Sequence, residues 1–142
     1  MDVRVVETEQ EMKDAYAVRR TVFIEEQGVP EEMEIDAHED EAVHFVAYND
    51  KGAPVGAGRM RLFDDYGKAE RICVVRSYRK KGVGDHLMKK LEEVALAKGK
   101  NELKLNAQTH AEQFYDRIGY ETTSDTFYEA GIPHVTMRKQ LR

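Results

Sequence analysis

Ala69-Glu70-Arg71-Ile72-Cys73-Val74-Val75-Arg76-Ser77-Tyr78-Arg79-Lys80-Lys81-Gly82-Val83-Gly84 is the stretch on which the fold turns. Its first seven residues are strand-like, and a charged turn over 76–81 follows at once. From Gly82 to Lys98 the pattern changes. Val83, Leu87, Leu91, Val94 and Ala95 form one apolar stripe at helical spacing, with lysines and glutamates elsewhere. Gly99 suits the C-terminal cap. The N–H groups that open such a helix have no partner, and the helix dipole adds positive potential there. Gly82 and Gly84 let the backbone turn sharply and approach a ligand, while Arg79, Lys80 and Lys81 add mobile charge. The unit predicts a phosphate site.

Working outward, residues 2–7 alternate as a strand, and Thr8-Glu9-Gln10-Glu11 carries the capping-box pattern. The helix it opens places Met12, Ala15, Tyr16, Arg19 and Phe23 at helical spacing until Gly28 and Pro30 break it. An acidic loop or short helix follows. His44 to Asn49 and Val55 to Phe63 read as strands of a hairpin turning at 49–52, with Gly56 and Gly58 marking a bulge. Beyond the central unit come a strand at Glu102 to Ala107, a short helix at Ala111 to Ile118 and a strand at His134 to Lys139. The order βα(α)βββαβαβ predicts one α+β domain over residues 1–142, with helices on a mixed sheet.

With 41% hydrophobic and 35% charged residues, the 142-residue chain is expected to be a soluble globular domain. Its apolar runs are too short to span a membrane, and the strand-like start lacks the pattern of a signal peptide. A single cysteine, Cys73, fits a reducing compartment, so a cytoplasmic location is expected. A formal charge of −5 argues against a nucleic-acid partner. Residues 25–41 hold nine acids and no Lys or Arg, whereas residues 76–81 hold four bases and no acid. Such asymmetry suits a cationic ligand at one place and an anionic one at the other.

The type of phosphate site can be narrowed. A Walker loop needs Gly-Lys-Ser/Thr, but Asp85-His86 follow Gly84; a dinucleotide fingerprint needs glycine where Leu87 stands. What remains, Arg-x-x-Gly-x-Gly behind a strand, resembles the acetyl-CoA signature of the GNAT superfamily of N-acetyltransferases. Asn106, then Phe114-Tyr115-Asp116-Arg117-Ile118-Gly119-Tyr120, follow in the family's order. Residues 22–30 and 131–137 are similar to a small bacterial branch whose members largely lack an assigned substrate. Asp85 is a departure, since the family more often has a neutral or basic residue there.

The resemblance implies a GNAT-like fold: a mostly antiparallel sheet with one splayed parallel pair, helices on both faces, and acetyl-CoA as cosubstrate. Pantetheine would pair with the backbone of Ile72, Cys73 and Val74, and the pyrophosphate would sit on Arg79, Lys80, Lys81, Gly82, Val83 and Gly84. The Val74 N–H is the implied oxyanion donor and Tyr115 the acid for the leaving thiolate; an aromatic packed on the sheet is the plain alternative for Tyr115. Glu70, two and four residues before Ile72 and Val74, is expected on their face of the strand. It is either a general base or an ordinary ion-paired carboxylate. Asn106 either bonds pantetheine or caps the next helix. His134 and Glu129 stand at the edge of this set. Cys73 lacks a supporting histidine and reads as a buried small hydrophobe, and the spacing of His38, Asp40, Glu41 and His44 fits no zinc pattern.

The acceptor is expected to be a small-molecule or protein amine. Glu25, Glu26, Gln27 and the acidic stretch 31–41 would draw a cationic primary amine, unless they form only a solvated loop. Two other readings stay open: a non-catalytic acyl-CoA sensor, and an acylhomoserine-lactone-type synthase, to which Arg20-Thr21-Val22-Phe23 is loosely similar. A homodimer is common in the family, and no feature of the sequence forces one.

Overall fold

Thr8 opens helix α1 (Glu9–Arg19) with a complete capping box in the computed structural model, which describes residues 1–142. Its hydroxyl accepts from the Glu11 N–H, and the Glu11 carboxylate accepts from the Thr8 N–H, both at 3.1 Å. The helix does not run on to Phe23 in α geometry. It widens into a π-helical segment, Arg20–Glu26, whose final bonds include Gln27 N–H to Val22 O at 3.1 Å. Helical spacing in sequence cannot separate the two, because both keep the same face roughly inward for one or two turns.

The acidic stretch contains one turn of helix, α2 (Glu31–Glu34). Strands β1 (Asp2–Val5), β2 (Val43–Tyr48), β3 (Pro54–Leu62) and β4 (Tyr66–Val74) precede α3 (Val83–Ala97). Strand β5 (Glu102–Gln108), helix α4 (Glu112–Arg117), and strands β6 (Glu121–Thr122), β7 (Phe127–Glu129) and β8 (Ile132–Gln140) complete the chain. The sequence reading did not resolve β6 and β7, since two or three residues are too few to display an alternation. The sheet order is β1-β2-β3-β4-β5-β8-β6, with β7 also on β8. Every pairing is antiparallel except β4 with β5.

That one parallel ladder is short. It runs from Tyr66↔Glu102 to Ala69↔Leu105 and stops. Beyond that point β4 continues against β3 as far as Val74, and β5 continues against β8 as far as Gln108. The two strands therefore part, leaving a gap bordered by unpaired backbone edges.

Helix α3 covers one face of the sheet, burying Val83, Leu87, Met88, Leu91 and Ala95 against Phe45, Met60, Ala69, Leu103, Leu105 and Met137. A Cβ on Gly56 would lie 2.8 Å from Val83 Cγ1, so this approach requires glycine in β3. On the other face Ala15, Val18 and Val22 pack on Val46, Ala57 and Cys73. α1 lies over β2, β3 and β4. The same face of β5 and β8 carries the polar side chains of Lys104, Asn106, Gln108 and Thr136.

The glycine-marked bulge is present at Gly58. The register steps from Ala57↔Cys73 to Arg59↔Glu70, so Gly58 opposes both Arg71 and Ile72, and Arg71 has φ +59°. This corrects the expected placement of Glu70. An extra residue inverts the alternation, so Ile72 and Val74 join the α3-side core while Cys73 joins the α1 side. Glu70 points to the α1 side, among charged residues.

Candidate active site

The anion end is built as the glycines predict. Gly82 is the N-cap of α3 at φ +89° with no side-chain cap, in contrast to Thr8 at α1. The first helical bond is His86 N–H to Gly82 O at 3.1 Å, so the N–H groups of the opening turn remain available. Gly84 meets the ring of Phe114, whose Cζ would be 3.0 Å from an added Cβ. Lys80, Lys81 and Asp85 are exposed. Arg79, expected as mobile charge, is held. Its terminal nitrogens donate to both Glu26 carboxylate oxygens at 2.6 Å, and its Nε donates to Val74 O at 2.9 Å. Arg79 lowers the Glu26 pKa to about 2. The π segment is thereby tied to the turn before α3.

The gap lies beside this turn. Val75 N–H bonds to Val55 O at 3.0 Å, toward β3. By alternation the N–H and C=O of Val74 face the opposite edge, into the gap. The Arg79 bond to Val74 O marks that direction. Cys73 is buried and its thiol is pushed up to about 12 by desolvation, so it holds no ready thiolate. Tyr115, on α4, is also buried; desolvation raises its phenol well above the ordinary value, and the neighbouring Cys73 adds to this. Its ring packs edge-on to Tyr120, 5.8 Å between centroids.

Asn106 stands one residue past the last β4–β5 pair. Its Nδ2 donates to Glu129 Oε1 at 3.0 Å and its Oδ1 accepts from Thr136 Oγ1 at 2.9 Å. It caps no helix: Ala111 is the N-cap of α4. Across the open face, Gln27 and Gln108 exchange amide hydrogen bonds at 2.9 and 3.3 Å. Glu70 accepts from Arg59 at 3.1 Å and from Arg61 at 2.9 and 3.0 Å, with Lys68 at 3.5 Å. Burial works to raise its pKa, but these cations prevail and hold it lowered. Of the sequence-predicted residues, Val74 and Asn106 border the gap, Cys73 pairs with β3 behind it, Tyr115 lies buried with Cys73 as a neighbour, residues 79–84 form the turn into α3, and Glu70 joins an ion-pair network.

That network changes the reading of the acidic stretch. Arg19 and Arg59 are each 1% exposed. Arg19 donates to Glu34 at 2.8 Å and to Glu39 at 2.8 and 2.9 Å. Arg59 forks onto Asp36 with two bonds of 2.8 Å and lies 2.9 Å from Glu39. Arg71, at the bulge, donates to the carbonyls of Met33 and Glu34, each at 3.1 Å. Glu34, Asp36 and Glu39 are therefore counter-charge to a set of arginines, whereas Glu31, Glu32, Asp40 and Glu41 stay exposed. Sequence reasoning missed this because the cations are spread over residues 19–71. Buried arginine in otherwise apolar strand and helix positions was the available signal.

The network also predicts the response to acid. Glu39 has its pKa lowered to about 2 from 4.5: burial opposes the shift, and the hydrogen bond from Arg19 outweighs it. Asp36 is lowered too, chiefly by Arg59 against its own burial. A carboxylate depressed in the fold stabilises it above the unfolded pKa and loses that contribution as pH falls through the folded one. His44 is lowered from 6.5 by burial, so protonation of the unfolded chain acts in the same direction. Stability should decline slowly below pH 6.5 and steeply from pH 4.5 toward 2. Urea midpoints measured across this range should show that profile; a flat one would remove the network from the stability account.

His44 and His38 have plain bonding roles. His44 Nε2 donates to Glu39 O at 2.7 Å, and His38 bonds to Glu41. His134 is buried, with Nδ1 at 2.7 Å from Ile132 O. No helix is long and apolar enough to cross a membrane.

Residues 6–141 match the family model of the acetyltransferase (GNAT) domain. The chain is 49% identical over 140 residues to the uncharacterized N-acetyltransferase YjcF of Bacillus subtilis, covering 98% of this chain and 99% of that one. A solved Lactobacillus plantarum protein described as an N-acetyltransferase superposes with TM-score 0.92 at 29% identity, over 99% and 98% of the two chains. An aminoglycoside 6′-N-acetyltransferase solved with coenzyme A shares the fold, with TM-score 0.78 at 16% identity over 100% and 98%.

Proposed function

Since the chain belongs to the GNAT acetyltransferase family and is an acyl-CoA-dependent N-acetyltransferase, we propose that it moves an acetyl group from acetyl-CoA to a primary amine by direct attack in a ternary complex. The observation that carries this reading is the parting of β4 from β5 after Ala69↔Leu105, beside the uncapped start of α3. A pantetheine arm is an extended chain with amide groups, suited to the open edge of residues 72–74, where Val74 presents its N–H and C=O while Cys73 pairs with β3. The opening N–H groups of α3, with Lys80 and Lys81, suit the pyrophosphate. The fold-mate solved with coenzyme A is consistent with this use of the groove.

Transfer forms a C–N bond and breaks the C–S bond of the thioester. The Val74 N–H, aimed into the gap, would hold the oxyanion. Tyr115 would give its proton to the departing sulfur. Glu70 is a weak proton acceptor while three cations hold it ionised, so its share is electrostatic, and the amine proton would leave through water on the polar face.

Thiol release from acetyl-CoA over a panel of primary amines tests the proposal. Amine-dependent release is expected. Tight cofactor binding without release on any amine would favour the sensor reading; an α-amino acid in the panel whose γ-leaving group is displaced by its own carboxylate, giving a lactone, would favour the synthase reading. Gly82→Ala forces a side chain to φ +89° and disturbs the anion loop. It should raise the KM for acetyl-CoA roughly tenfold, with a strain of about 1–2 kcal/mol. An unchanged KM would remove the loop from cofactor binding.

A further inference from the structure

We propose that His134 and Glu129 form the subsite that receives the acceptor's amino group. The ring of His134 is buried, at 8% exposure, and its tautomer is set by its surroundings. Nδ1 lies 2.7 Å from the Ile132 carbonyl, which can only accept, so Nδ1 carries the hydrogen. In the neutral ring Nε2 is then a lone-pair acceptor. Glu129 Oε2 faces it at 3.9 Å, beyond hydrogen-bond reach. The carboxylate is fixed by its other oxygen, which accepts from Asn106 Nδ2 at 3.0 Å. Asn106 is oriented in turn by Thr136, whose hydroxyl donates to Oδ1 at 2.9 Å. Phe127 stacks on the His134 ring, 6.1 Å between centroids.

With the ring neutral, two acceptors face each other at 3.9 Å. The complement is a group with several N–H donors and a positive charge, which describes a primary ammonium.

Location supports the assignment. Asn106 directly follows Leu105, the last residue of β5 paired with β4, and His134 pairs with Gln108 at the end of β5. The cluster therefore begins at the apex of the gap, on the polar face opposite α3. The Gln27–Gln108 amide pair stands beside it. Of the acids expected to draw the amine, Glu34, Asp36 and Glu39 are bonded to arginines and Glu26 to Arg79; Glu129, 52% exposed, has no arginine partner.

The subsite rests on the transfer reading, so its test has two readouts. In the first, n-butylamine is titrated into the protein and the His134 ring resonances are followed by NMR. They should move in the wild type and not in Glu129→Gln. In the second, Glu129→Gln and His134→Phe should raise the KM for n-butylamine roughly 10–100-fold, from the loss of one charged hydrogen bond. The KM for acetyl-CoA should stay unchanged. Acetyl-CoA KM rising instead, or an unmoved amine KM in both variants, would overturn the subsite and leave transfer standing. Absence of release on every amine of the panel would refute transfer; the ring response then decides the subsite alone, support requiring an amine-dependent shift lost in Glu129→Gln.

Discussion

Tyr115→Phe is expected to lower kcat by roughly 10²–10⁴-fold, the usual contribution of a positioned general acid. The substitution removes one oxygen and keeps the ring that packs on Phe114 and Tyr120. No hydrogen bond contributes to the environment of the Tyr115 phenol, so its loss leaves no orphaned partner in the fold. Stability should stay within about 0.5 kcal/mol of the wild type. KM for acetyl-CoA should hold, because the groove backbone is untouched.

The chemistry requires this to be checked against acidity. Burial raises the phenol well above its ordinary range, which weakens it as an acid. Burial likewise pushes the Cys73 thiol, on the α1 side of β4, up to about 12. A thiolate expelled into a desolvated gap would have its proton affinity raised in the same direction as that of the phenol. A raised phenol also predicts no loss of kcat from Tyr115 ionisation on the basic side up to about pH 10. Steady-state kinetics on the Phe variant decides the matter. A kcat within threefold of wild type would assign Tyr115 to packing.

Arg59→Ala should be the most destabilising single change, by about 3–5 kcal/mol, as for other buried ion pairs deprived of one partner. Arg59 is 1% exposed and faces Asp36, Glu39 and Glu70 at 2.8–3.0 Å. Without it three carboxylates crowd one another, with only Arg19, Arg61, Lys68 and Arg71 to compensate. The urea midpoint should fall while the slope stays constant. Asp36→Asn in the same background should recover part of the loss, since it removes one of the unpaired charges. A loss below about 1 kcal/mol would mean that the network is solvated rather than buried.

Legibility followed range along the chain. The Thr8 capping box, the α3 stripe, the Gly58 bulge and the glycines at 82 and 84 depend on neighbours a few residues away, and each is present. The π segment was invisible because it shares helical spacing. The role of the acidic stretch was hidden because its partners, Arg19, Arg59 and Arg71, come from three elements.

The sequence by itself determined a helix with an uncapped, glycine-opened N-terminus behind a strand, and hence an anion site, because backbone donors and φ preferences are local properties. Only the tertiary structure decided where Glu70 points, since one bulge residue at φ +59° inverts a two-residue alternation that sequence assumes unbroken. Only it showed that Arg79 is tied to Glu26, a residue 53 positions earlier. It also fixed where the splayed pair implied by the family resemblance opens, at Ala69↔Leu105, because the end of a ladder depends on strands distant in sequence.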